Sequence, residues 1–273
     1  MAHGETIGGL AGRPIVVKIG GSTLGSHDTT LEDVVTLHKQ GTPVVVVHGG
    51  GKVITQWMER QGSVPRFVRG LRVTDPQSLE VVVAVLTGLV NKQLVASVLA
   101  LGGRALGLSG VDGALLEARV ADPELGLVGQ VVKVNPEPIL DALKAGYIPV
   151  VAPVGLQCLE DLSQGGRILN INGDTAAGEI AHALYARDLV FLTDVEGVMD
   201  STGRVVPRLT RRQAQIFLRS GVAKGGMIPK LEACVRAVER VPTAEIIDGR
   251  KPRALLNLLA GEFTGTRVVG RTS

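Results

Sequence analysis

The sequence predicts an α/β fold: a three-layer α/β/α sandwich around a mostly parallel central sheet. Three observations carry this. Runs such as Ile15–Ile19 and Val44–Val47 are almost wholly aliphatic and β-branched, the pattern of strands buried on both faces. Stretches of helical period alternate with them along the chain. The 273 residues are 45% hydrophobic but only 3% aromatic, so a large core is affordable from Val, Leu, Ile and Ala alone.

In chain order, residues 1–12 are glycine-rich and without period, and are expected to be disordered. Ile15–Ile19 reads as a strand, Leu31–Lys39 as a helix, Val44–Val47 as a strand and Val53–Gln61 as a helix. Thr74 or Asp75 is placed to cap a long helical stretch, Pro76–Leu101, with Pro76 suited to its first turn and a bend expected at Gly88. A strand at Arg104–Leu108 is followed by a hairpin, Leu115–Val134, around a Gly/Pro turn. Helix Pro138–Ala145 and strand Ile148–Val151 come next. The alternation resumes with a strand ending in "RILNI" and a helix at Thr175–Tyr185, capped by Asn172 or Asp174. Strand Asp188–Leu192, helices Arg211–Ser220 and Ile228–Val241, and strand Ala244–Ile247 complete the reading.

Composition excludes several classes. Few aromatic rings leave little for bases to stack on, against single-stranded nucleic acid. The net charge of +3 suits an anionic small molecule without requiring nucleic acid or membrane. Cys158 and Cys234 lack partner motifs and read as reduced thiols, and no spaced histidine pair suggests a metal. The N-terminus lacks the apolar core of a signal peptide, and the apolar run after Leu79 is broken by Asn91, Lys92 and Gln93. A cytoplasmic protein is expected.

In parallel sheets ligands sit at the carboxyl ends of strands. Strand one ends at "KIGGS" with Lys18, Gly20 and Gly21; strand two ends at "VHGGGK" with His48, Gly49, Gly50 and Gly51. Glycines let the backbone approach a ligand, and helices that follow aim their N–H groups at it. The two turns together, with Lys18 beside them, suit phosphate oxygens; either alone reads first as a tight βα turn. A P-loop is excluded, because Val46 stands where its first glycine belongs and Val53 follows Gly51-Lys52. Lys18 either snorkels to water or faces an anion. Lys230, Cys234, Ala237 and Val241 share a helical stripe that is otherwise apolar, which turns Lys230 inward at a helix N-terminus where anions are favoured. A structural ion pair is the alternative. Lys224, beside Gly225 and Gly226, reads as a loop lysine near phosphates. Asp174 either caps its helix or holds lysines in place; Asn170 and Asn172 offer amides to a substrate, and Arg72 can fork onto a carboxylate.

The segments "VVKIGGS", "VVVVHGGGKVI", "GLRVTDPQSLE", "NINGDTAAG", "LTDVEGV" and "GGMIPKL", in this order, resemble the amino acid kinase family and, within it, the acetylglutamate kinase branch. The likeness runs from about Ile15 to Val269. It implies an ATP-dependent phosphorylation of the side-chain carboxylate of N-acetyl-L-glutamate, in arginine biosynthesis. Lys18 and Lys230 match the lysines that stabilise the migrating phosphoryl group, and Asp174 the aspartate that positions them. Gly50, Gly51, Arg72, Asn170 and Asn172 match the acceptor side. Gly20, Gly21, Thr193, Asp194 and Lys224 match the nucleotide side, with Mg²⁺ carried by ATP and no metal ligands from the protein. Residues 1–13 would be a tail, 14–185 an acceptor-binding and dimerising lobe, and 186–273 a nucleotide-binding lobe. A homodimer is expected over a hexamer. The alternatives are a kinase for carrier-linked aminoadipate or glutamate, and a silent ATP-binding sensor of the same fold. Gly173 stands where relatives carry alanine. Asp174→Asn is expected to lower kcat with little loss of stability.

Overall fold

The computed structural model describes residues 12–20, 29–158 and 166–270. Residues 1–11 of the expected tail, and Gly21 of the first turn, lie outside them. The first part of the chain forms β1 (Ile15–Ile19), α1 (Thr30–Lys39), β2 (Val44–His48), α2 (Gly51–Arg60) and the short hairpin β3 (Phe67–Val68) and β4 (Leu71–Arg72). There follow α3 (Pro76–Val83), α4 (Asn91–Ala100), β5 (Ala105–Gly110), β6 (Leu116–Val120), β7 (Val128–Val134), α5 (Glu137–Lys144), β8 (Ile148–Gln157) and β9 (Ile168–Ile171). The last part holds α6 (Gly173–Ala183), β10 (Asp188–Thr193), β11 (Arg208–Thr210), α7 (Arg211–Arg219), α8 (Met227–Ala237), β12 (Thr243–Asp248), α9 (Ala254–Leu259) and β13 (Thr266–Val269).

Eleven strands share one sheet, in the order β11-β13-β12-β10-β1-β2-β8-β6-β7-β9, with β5 also on β8. The centre is parallel: β1 lies between β10 and β2, and β2 pairs β8. The antiparallel pairs β12–β13, β6–β7 and β8–β9 sit to either side. β8 is longer than its aliphatic start suggests, and its far half pairs both β6 and β9. With β7 bridging these two, the four strands close a circuit that carries Asn170 on β9.

The sheet divides the core in two. Ile15, Val17 and Ile19 pack with α1 to α4 and α9, while Val16 packs with α5 to α8. Each such fully buried side chain contributes about 1.5–3 kcal/mol. Alternation along a strand then assigns Lys18 to the α6/α8 face, with Val16.

Between α3 and α4 the helix does not stop: Ala84–Val90 continues it as a π-helical stretch that includes Gly88, where a bend was expected. The whole run Pro76–Ala100 is long and apolar enough to cross a membrane, contrary to the sequence expectation. Its core face is nevertheless buried in the protein through Val82, Val85, Leu86, Leu94 and Val98. Asp75 caps α3, accepting from the Ser78 N–H at 2.7 Å. β3, β4, β11, α9 and β13 were not anticipated from the sequence.

Candidate active site

Lys18 on β1, Asp174 on α6 and Lys230 on α8 meet at the carboxyl end of the central strands. Lys18 Nζ stands 2.7 Å from Asp174 Oδ1, close enough for an ion pair though off hydrogen-bond angle. Lys230 Nζ donates to Oδ2 at 3.0 Å. The side chains of Lys18, Asp174 and Lys230 are largely buried, at 9%, 6% and 14% exposure, so water screens them little. Burial pushes the Asp174 carboxyl pKa up, but the two ammonium groups outweigh it and hold the group below its ordinary value. The helix cap is Asn172, whose Oδ1 accepts from the N–H groups of Asp174 and Thr175. Asp174 is therefore not the cap and is available for the lysines.

What brings α6 and α8 together is an absent side chain. A Cβ on Gly178 would lie 2.9 Å from that of Ala233, and 3.0 Å from its Cα and carbonyl oxygen. Asp174 and Lys230 stand one turn before these two residues on their helices. Gly173, by contrast, has room for an alanine: the nearest atom to an added Cβ is 3.4 Å away.

A cleft of about 220 Å³ opens beside the cluster, lined by Lys18 and Asp174, by Gly50 and Gly51, and by Arg72, Asn170 and Asn172. It is smaller than the roughly 300–1,000 Å³ typical of drug-sized ligands. Gly50 has no room for a side chain, since a Cβ would meet Leu86 Cδ2 at 2.6 Å. α2 starts at this turn without a side-chain cap, leaving its first N–H groups for a ligand. Arg72 is buried; its guanidinium donates to Gly51 O at 3.0 Å and Thr55 Oγ1 at 2.8 Å, and lies over the Phe67 ring. No carboxylate among the described residues pairs with it, and burial lowers its pKa. A buried cation without a counter-charge is costly, which favours an anionic ligand.

Of the nucleotide-side residues, Gly20 follows β1 and its N–H donates to Leu192 O. Thr193 ends β10, buried, with Asp194 beside it. Lys224 lies exposed in the loop before α8. Thr193, Asp194 and Lys224 do not line the small cleft. Gly21 is outside the described residues.

The sequence reading named His48 only as a strand end and Asn91 only as a break in an apolar run, and gave neither a role. His48, fully buried, lies on the sheet face of Ile19, opposite to that of Lys18, and accepts from Asn91 Nδ2 at Nε2, 3.2 Å; its Nδ1 lies 2.9 Å from Gly49 O. An accepting Nε2 leaves the proton on Nδ1, so the neutral ring pins the first glycine of the turn. The available signal was Asn91, a polar residue in an apolar helix, which needs a buried partner. Burial, with Lys18 and Lys92 nearby, lowers the His48 pKa from 6.5 to about 4. Unfolded chains then take up this proton first, so His48 costs stability as pH falls from 6.5 to 4. Glu245, raised from 4.5 to about 7 by burial, acts in the opposite sense over its own range. Urea titrations from pH 7 to 4 are expected to show a shallower loss in His48→Gln than in the wild type, by up to about 3 kcal/mol at the acid end. Parallel curves would place His48 in a site where it titrates normally.

The sequence pattern of the amino acid kinase family matches residues 13–248. An acetylglutamate kinase of Dehalococcoides mccartyi (strain CBDB1) is 45% identical over 257 residues, covering 94% of both chains. One from Methanothrix thermoacetophila is 44% identical, covering 93% of this chain and 91% of its own. The crystal structure of smu.665 from Streptococcus mutans UA159 superposes with a TM-score of 0.80 at 30% identity, covering 94% of this chain and 98% of that one.

Proposed function

The chain belongs to the amino acid kinase family, and we infer that it transfers the γ-phosphoryl group of ATP to the side-chain carboxylate of N-acetyl-L-glutamate. The product is N-acetyl-L-glutamyl 5-phosphate, the second intermediate of arginine biosynthesis. The observation that carries this reading is the convergence of Lys18 and Lys230 on one carboxylate at the edge of a small cleft containing an uncompensated arginine.

The chemistry asks for charge rather than for a base. The acceptor carboxylate is already ionised at neutral pH, so one of its oxygens attacks the γ-phosphorus directly. The bond from that phosphorus to the β–γ bridging oxygen breaks, and ADP leaves with the electron pair. The obstacle is repulsion between two anions. Lys18 and Lys230 face the phosphoryl oxygens, and the N–H groups of the glycine turn add to them. Asp174 keeps the two ammonium groups side by side before any phosphate arrives. Mg²⁺ enters as part of the nucleotide substrate. Thr193, Asp194 and Lys224, with Gly20 and Gly21, form the nucleotide side in this reading. The lobes divide near residue 185, with acceptor binding before it and nucleotide binding after it.

Arg72 forks onto the α-carboxylate, with Asn170 and Asn172 beside it. Arg72→Lys is expected to raise the acceptor KM about tenfold or more while leaving the ATP KM within about twofold, because a point charge replaces a fork. The reverse pattern would remove Arg72 from the acceptor side. The protein is expected to work in the cytoplasm as a homodimer. The exposed apolar residues Leu99 and Leu106, on α4 and the adjoining strand β5, suit a face shared between two copies. ADP release that requires N-acetyl-L-glutamate is the direct test; ATP turnover indifferent to that acid would refute the reading.

A further inference from the structure

Thr74, fully buried, holds two cleft residues with one hydroxyl. Its Oγ1 lies 2.9 Å from the carbonyl oxygen of Arg72 and 3.0 Å from the side-chain amide of Asn170. Counting protons fixes the roles. A carbonyl only accepts, so the hydroxyl proton goes to Arg72. The hydroxyl has no second proton, so Asn170 must present its NH₂ group to Thr74. Which way an asparagine amide points is otherwise an assignment, and here the neighbour makes it. Asn170 Oδ1 is then the acceptor this residue offers to the cleft, without a hydrogen-bond partner among the described residues, and the second N–H of the amide is the one donor Thr74 leaves unused.

The hydroxyl is itself held rigidly. The Thr74 N–H donates to Leu125 O at 2.9 Å, and its carbonyl accepts from the Leu127 N–H at 2.7 Å. Gly126, at φ +68°, passes so close that a Cβ there would meet Thr74 O at 2.5 Å. The position of Thr74 is thus set by main chain, independent of any ligand.

We propose that Thr74 is a positioning residue that sets the hydrogen-bonding polarity of the acceptor cleft. It fixes the orientation of the Asn170 amide, so that Oδ1 is presented as an acceptor towards the ligand, beside the cationic Arg72. The cleft thereby selects an acid that carries an N–H next to its α-carboxylate, a secondary amide, over one with an ester oxygen at that place. This rests on the N-acetyl-L-glutamate reading of the cleft and names the atom that recognises the amide.

The test compares N-acetyl-L-glutamate with its ester counterpart, 2-acetoxyglutarate, for the wild type, Thr74→Val and Thr74→Ser. The measured quantity is the ratio of kcat/KM for amide over ester, so that intrinsic differences between the two acids cancel between proteins. The wild type is expected to prefer the amide by about tenfold or more, and Thr74→Ser to keep that preference. In Thr74→Val, Asn170 loses its fixed orientation, and the ratio is expected to fall to about twofold with the ATP KM unchanged. A folded Thr74→Val with the wild-type ratio overturns the proposal. So does an equal loss for both acids with a raised ATP KM, the mark of a merely structural residue. If Thr74→Val does not fold, Asn170→Ala decides: retention of the amide preference there overturns the proposal, and its loss supports it. A wild type that phosphorylates neither acid refutes the functional reading itself, a distinguishable result.

Discussion

Replacing Lys230 or Lys18 by alanine is expected to lower kcat by about 10²–10³-fold, the cost of removing one preorganised positive group from a developing anionic transition state. The acceptor KM should move little, because in the proposed reading the α-carboxylate of the substrate meets Arg72 instead. Stability should also move little, because Asp174 keeps one ammonium partner in either variant: Lys18 at 2.7 Å or Lys230 at 3.0 Å. An ADP-coupled assay beside a thermal melt separates the outcomes. Near-normal turnover in either variant would remove that lysine from the chemistry. A collapse of the melt with turnover retained would make the cluster a structural tie.

Asp174→Asn is expected to do both kinds of damage. The substitution leaves two largely buried ammonium groups facing each other without a counter-charge. Breaking a buried pair by removing one partner typically costs about 3–5 kcal/mol. Asn172 still caps α6, so the loss is not one of helix initiation. The sequence-based expectation of little destabilisation is revised on this ground. The sign with pH follows from the depressed carboxyl pKa. Its contribution is complete above the unfolded value of about 3.9 and fades as pH falls through the lower folded value. The gap between wild type and Asp174→Asn should therefore narrow in strong acid. A variant with an unchanged melting midpoint and unchanged kcat would show that the carboxylate does not hold the lysines.

Much of this was legible from local pattern. The aliphatic runs gave β1, β2 and β10, because strands buried on both faces need no partner information to be recognised. The stripe through Cys234 gave the direction of Lys230, whereas the face that Lys18 takes followed only from the packing of Val16. What could not be read was anything decided between distant segments. β3 and β4 have two residues each, too few for a period. β8 changes neighbours halfway along, which no local pattern records. Asn172 and Asp174 were equal candidates for the cap until the N–H partners were located. Thr74 was considered only as a cap; its contact with Asn170 spans 96 positions. Gly21 remains an expectation from the sequence.

The bare α-carbon of Gly178 has a consequence for how this chemistry can be lost or tuned. It sits outside the cleft, touches no ligand in the proposed reaction and carries no functional group. Yet it sets the spacing of two helices whose leading turns supply opposite charges, as a shim sets the gap between two machined plates. A methyl group there would thrust α8 outward and lengthen the reach from ammonium to carboxylate, so this enzyme can be detuned from a position that an inventory of polar residues would never include.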